Sequence, residues 1–154
     1  MRKANINGKS NLRKVDPNWF TGRTWMRSVS DVIGSKGHDM YHVHFESGSR
    51  TKLHAHNGDQ ILMATKGAGS LEVFEKLDGS RRRFAIRRTR TVGLSAGDVV
   101  YIPAGALHTH GSVDKKRTFS HVAINVLPGR RGGNTSYKTV WYESDFERSV
   151  SAIV

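Results

Sequence analysis

The 154-residue sequence predicts an all-β fold, an antiparallel barrel or sandwich. Three observations predict it. Short runs alternate apolar and polar residues with period two, as half-buried strands do. Gly, Pro, Asp-Gly or Asn-Gly bound these runs, as in tight turns. No long stretch carries a helical period before the end of the chain. The length fits one domain around one core.

Residues 1–18 are polar and basic and end in "DPN", so we expect a flexible basic arm, disordered or loosely docked. Residues 19–154 form the barrel domain. "TWMRSVSDVI" alternates and reads as a strand. "DMYHVHFE" places Tyr41, Val43 and Phe45 on one face and His42 and His44 on the other. With the apolar face inward, His42 and His44 lie outside any site, and His38 is read with them. "QILMAT", "SLEVFEKL", "RFAIRR", "DVVYIP" and "FSHVAINVL" read as further strands. Asp78-Gly79 suits the two-residue turn of an elongated hairpin projecting from the barrel. Ser144 and Glu147 form a capping-box pattern that predicts a short C-terminal helix.

The chain contains no cysteine, which excludes disulfides, thiolate metal sites and cysteine nucleophiles. The net charge of +12 favours polyanions as partners, or solubility alone. No apolar run is long enough to span a bilayer, and "MRKANINGKSNLRK" lacks the apolar core of a signal peptide. We expect a soluble, cytoplasmic protein with no membrane partner.

The chemistry concentrates in "HAHNGDQ". On a strand His54 and His56 project to one side, and Gln60 shares their parity beyond a tight turn. His108 follows the strand "DVVYIP" and a Pro-Gly turn, and it shares a face with His110. Neutral imidazoles are ligands for Zn, Mn, Fe, Ni and Cu. Three imidazoles and one amide oxygen would hold a divalent metal with positions left open for substrate. Gln60 in place of a carboxylate contributes no charge, so the metal would keep its full positive charge and favour anionic ligands. Nor does Gln60 act as a base. Proton transfer then falls to His110 and His121, the latter alternating with Ala123 and Asn125 on a late strand. The plainer alternative is a set of hydrogen-bonded interior histidines beside a buried amide.

Gly48, His54, His56, Gln60 and Gly67 stand at one set of spacings, and Gly97, Pro103, Gly105 and His108 at another. In both, over residues 20 to 146, the sequence resembles the cupin superfamily, which implies a jelly-roll, or double-stranded β-helix, barrel. Gln60 replaces the usual Glu of the first motif, and Ser112 stands where the second often ends in Asn. "FESGSRTKLHAHNGDQILMATKGAGSLEV", "GDVVYIPAGALHTHGS", "FSHVAINVLPG" and "WYES" are similar to small single-domain cupins associated with carboxymuconolactone decarboxylases, manganese-dependent hydroxynitrile lyases among them. That resemblance implies His54, His56, Gln60 and His108 as metal ligands and His110 and His121 as polar groups beside the metal. It further implies Tyr41, Val43 and Asn125 as pocket lining. Manganese comes first, with Fe, Ni, Zn or Cu open, in a lyase or dioxygenase acting on a small organic substrate. It also implies a homodimer or higher homo-oligomer, for which the sequence offers exposed strand edges and Trp19, Trp25 and Trp141.

Two further functions compete. One is a non-catalytic small-molecule or metal-binding module. The other is a nucleic-acid-associated protein using Arg81, Arg82, Arg83, Arg87, Arg88 and Arg90 of the hairpin to neutralise phosphates. Only Phe84 is interleaved there for base stacking, and such a run also serves as a solvated edge that discourages aggregation.

Overall fold

A computed structural model describes residues 1–8, 12–80, 83–128 and 136–142, and the backbone of 150–153. In chain order its strands are β1 (Leu12–Arg13), β2 (Thr24–Ser28), β3 (His38–Phe45), β4 (His54–His56), β5 (Gln60–Gly79) and β6 (Phe84–Ser95). They continue as β7 (Val99–Ile102), β8 (Leu107–Ser112), β9 (Phe119–Val126), β10 (Thr139–Trp141) and β11 (Val150–Ile153). The expected all-β antiparallel barrel is what forms; among the described strands, β11 alone pairs in parallel, with β6.

The sheet curls into two faces that share β5. One face runs β1-β2-β3-β9 to the first part of β5, with β7 beyond it. The other runs β6 to the second part of β5, then β8, β4 and β10. "QILMAT" and "SLEVFEKL" are therefore not two strands but one, of 20 residues. The strand changes partners near Gly67 and Gly69, where it presses against β9. A Cβ on Gly67, whose φ is 77°, would run into the Thr118 carbonyl. One on Gly69 would lie 2.6 Å from the Phe119 ring. Glycine lets the chain turn the barrel's corner without a break.

The core between the faces holds Val43, Phe45, Leu62, Leu71, Leu94, Ile102 and Phe119. Phe45 and Phe119 are direct cross-strand partners, both fully buried, with rings stacked at 6.2 Å. Each such burial contributes about 1.5–3 kcal/mol. A second cluster of Leu53, Phe84, Ile86 and Leu107 lies under the hairpin.

Three expectations change. The strand over "TWMRSVSDVI" stops at Ser28, and Ser30–Ile33 make one helical turn, α1, closed by Gly34 in the left-handed conformation. The hairpin turn is not Asp78-Gly79: Gly79 pairs with Phe84, and the Arg83 backbone N–H donates to Ser80 Oγ across the connection. The hairpin does not project freely, because Phe84 and Ile86 bury one of its faces. The C-terminal helix expected from Ser144 lies outside the described residues.

The N-terminal arm packs on the barrel. Leu12 and Arg13 pair with Arg27 and Met26 of β2, and Val15 and Trp19 pack against the core.

Candidate metal centre

Strand pairing brings the motif residues together. His54 and His108 are directly opposed across β4 and β8, with ring centroids 4.1 Å apart. His56 sits 5.4 Å from His108 by the same measure. Gln60 opens β5 and is paired with Asn125 of β9. His110 lies one strand repeat beyond His108, its ring 4.9 Å from that of His121. All of these side chains are buried.

Each imidazole of the motif is tied down at Nδ1. His54 Nδ1 meets the Lys52 carbonyl at 2.8 Å, and His108 Nδ1 meets the Ala106 carbonyl at 2.9 Å. His56 Nδ1 meets Thr139 Oγ1 at 2.8 Å. Since a carbonyl only accepts, Nδ1 of His54 and His108 carries the proton and Nε2 the lone pair. Gln60 Nε2 donates to Asn125 Oδ1 at 2.8 Å, which leaves its Oε1 as a free acceptor. Buried polar atoms are nearly always hydrogen-bonded. Yet His56 Nε2, His108 Nε2, Gln60 Oε1, His110 Nδ1 and both ring nitrogens of His121 have no partner. Those held from behind by a second hydrogen bond, His56 Nε2, His108 Nε2 and Gln60 Oε1, fit a cation. One ring nitrogen each of His54, His108 and His110 lies within 4.8 Å of the others, a grouping able to hold a metal ion.

Burial keeps the histidines neutral. It pushes His54 well below its ordinary value, helped by His108 and His56, against the Lys52 carbonyl. His56 falls to about 3 through burial and then His108, against the neighbouring Gln60 side chain. His108 falls to about 4 through burial. Burial, with His121, His54, His108 and Arg50, takes His110 well down, and burial with His42 takes His121 to about 3. Neutral imidazole is the ligating form. The ordinary value near 6.5 does not survive at His110 or His121, because both are enclosed by protein.

A cavity of ≈ 370 Å³ opens onto the site. Its lining includes His54, His56, Gln60, His110 and His121, together with Tyr41, Val43 and Asn125. His42 and His44 face the other side of β3: His42 Nε2 lies 3.4 Å from Thr65 Oγ1, and His44 Nδ1 2.7 Å from Ser120 Oγ. Neither they nor His38 line the cavity.

Several lining residues escape the motif reading. Thr139 holds His56. Tyr137 packs on the His56 ring at 4.9 Å, and Trp141 stacks on His54 at 4.5 Å. The alternation of "TVW" was the available signal, since it sets Thr139 and Trp141 on one face. Of the tryptophans offered for assembly, Trp19 and Trp141 stack on each other at 5.4 Å in the cavity wall, while Trp25 stays 44% exposed. In the hairpin, Arg87 pairs with Glu75, and Arg88 Nη1 lies 2.9 Å from Glu72 Oε1. Arg81 and Arg82 lie outside the described residues. Among the described residues, no helix is long and apolar enough to cross a membrane.

The fold has solved counterparts. A cupin-like protein from Thermotoga maritima matches with TM-score 0.61 and 27% identity, over 86% of this chain and 85% of that one. An oxalate decarboxylase from Lactobacillus farciminis, seen as a formate complex, matches with TM-score 0.58 and 16% identity over 85% of this chain. The Bacillus subtilis oxalate decarboxylase, a protein with Mn(II) centres, matches with TM-score 0.57 and 20% identity over 86% of this chain. This chain spans 33% and 30% of the two decarboxylases, and the likeness to them is one of fold. No curated protein matches. The cupin family model matches residues 6–141, and with the barrel and its histidine grouping in view, the chain belongs to the cupin family.

Proposed function

We propose that the protein is a metal-dependent cupin enzyme. Its divalent transition metal would be held by His54, His56, Gln60 and His108, and a small organic substrate would occupy the adjoining cavity. The observation that carries this is the set of buried, unpartnered acceptors His56 Nε2, His108 Nε2 and Gln60 Oε1, each side chain anchored by a second hydrogen bond. His110 also stands near, but its Nδ1 has no such anchor. We therefore place it beside the metal and not among the ligands. Imidazole and amide oxygen suit Mn, Fe, Ni, Zn or Cu. We take manganese first, by resemblance to the manganese-dependent cupins.

When bound, the metal supplies a Lewis acid for a substrate oxygen. The protein supplies the rest. Asn125 fixes the Gln60 amide with its oxygen inward, and Thr139 fixes His56. His110, unpartnered at Nδ1, would take a hydroxyl proton, with His121 next to it. This suits a lyase of hydroxynitrile-lyase type, in which the hydroxyl would give up its proton, its C–O bond would become a carbonyl, and cyanide would leave with the C–C bonding pair and take up the proton as hydrogen cyanide. A dioxygenase would use the same cavity with a redox-active metal. Arg87 and Arg88 are committed to Glu75 and Glu72, which leaves fewer of the hairpin's guanidinium groups for phosphate. Self-association would use Met63, Val99 and Tyr101, exposed together on β5 and its edge partner β7.

Elemental analysis of the untagged protein tests the site. The expected result is about one transition metal per chain, reduced in His56→Ala and in Gln60→Ala. Wild-type protein free of metal after metal-supplemented expression overturns the proposal.

A further inference from the structure

We propose that the cavity selects small monocarboxylates with a flat apolar body, and that Arg13 of the N-terminal arm binds the carboxylate. This rests on the reading of the cavity as the substrate site, and it assigns the arm a role in recognition.

The arm brings two cations to the cavity. Arg13 and Lys14 both line it, although they precede His54, the first histidine of the metal motif, by 41 and 40 residues. Arg13 is positioned, not loose. Its backbone pairs with Met26, its Nη1 donates to Tyr41 Oη at 2.8 Å, and its guanidinium lies 5.2 Å from the Tyr41 ring centroid. One hydrogen bond leaves most of the guanidinium donors available. Among the described residues, no carboxylate forms an ion pair with Arg13 or Lys14. Among the described residues, Asp39 is the one acidic residue in the lining.

Charge in the cavity therefore leans positive before any metal enters. The neutral histidines and Gln60 do nothing to offset it. A guanidinium fork matches a carboxylate in plane and spacing. The remaining wall is apolar and aromatic: Trp19 and Trp141 are stacked in parallel planes, and Phe20 and Phe45 stand near them. On β9 the cross-strand partner of Tyr41 is Ala123, a small residue that also lines the cavity. A cation at the mouth, stacked aromatics along the wall and a deep polar end describe a ligand with one anionic and one flat apolar portion.

Benzoate, its neutral isostere benzamide and inorganic sulfate are the probes. Binding is measured by calorimetry on metal-loaded and on chelator-treated protein. In wild type, benzoate is expected to bind at least about tenfold more tightly than benzamide or sulfate. Arg13→Met should lose that preference, Arg13→Lys should recover part of it, and Ala123→Leu should abolish benzoate binding. All variants should keep the wild-type metal content. Three results overturn the proposal: no benzoate binding in either form of wild type, equal binding of benzoate and benzamide or sulfate, or an Arg13→Met variant that binds benzoate as wild type does. Loss of the metal reading shows separately, as wild-type protein without metal, and leaves the Arg13 comparison standing on the chelator-treated form.

Discussion

Thr139→Val removes one atom's chemistry and keeps the shape, and it asks whether the hydrogen bond behind His56 matters for metal. Thr139 stands directly opposite His56 on the β4–β10 ladder and holds its Nδ1 at 2.8 Å. Valine is as comfortable in a strand as threonine, so the ladder should persist. In the metal-free protein the His56 ring can move its proton to Nε2, or turn. The cost there is that of one partly buried hydrogen bond, about 1 kcal/mol. With metal bound, Nε2 is committed and Nδ1–H is left without its acceptor. Loss of such a supporting bond typically weakens metal affinity about 10- to 100-fold, which is about 1.4–2.8 kcal/mol. The assay is a competition titration of Mn(II) or Zn(II) against a chelator, beside the urea midpoint of the metal-free protein. Ser120→Ala is the control: it removes the 2.7 Å contact with His44 on the other side of β3 and should leave metal affinity unchanged. An affinity within twofold of wild type in Thr139→Val would refute the reasoning, as would a drop equally present in Ser120→Ala.

Other outcomes follow from the same geometry. Gln60→Glu adds a negative charge among the donors and replaces the N–H that Asn125 accepts. Metal should bind about tenfold more tightly and anionic ligands more weakly, measured by the same titration. Acid should destabilise the metal-free protein. His108 titrates at about 4 when folded against 6.5 ordinarily, so between these values the unfolded chain binds more protons and stability falls as pH falls. His108 alone contributes about 3 kcal/mol above pH 6.5, lost progressively toward pH 4, with His56 and His121 acting in the same sense. Urea midpoints of chelator-treated protein at pH 7.5 and pH 5 would differ, and equal midpoints would count against neutral buried histidines. Gly69→Ala places a methyl against the Phe119 ring and should cost about 1–3 kcal/mol, read as a fall in melting temperature.

Much of the site is legible in the sequence because β-structure has a simple period. The spacing of His54, His56 and Gln60 puts them on one side, and a second motif supplies His108 in the strand that pairs with β4. Alternation in "DMYHVHF" likewise separates Tyr41 and Val43 from His42 and His44. What resists reading is set by partners far away in sequence. Nothing local at Thr139 shows that it will face His56, and nothing at Arg13 shows that it will reach Tyr41. Gly67 and Gly69 look like a strand break. They serve a continuous strand because β9 crosses so closely there. The histidine pKa values are equally non-local, since they follow from enclosure by the finished barrel.

The strand shared by both faces has a consequence for how the protein is made. β5 supplies Gln60 at its start and pairs with β8, the strand of His108, only through its later residues, while His54 meets His108 across a different ladder. The donors therefore converge only after pairings of long sequence separation have formed, which are the slow ones in folding. A nascent or truncated chain ending before β10 would lack Thr139 and the Trp141 lid on His54. Metal uptake should then lag behind secondary structure in a refolding experiment, making the bound ion a timer for closure of the barrel.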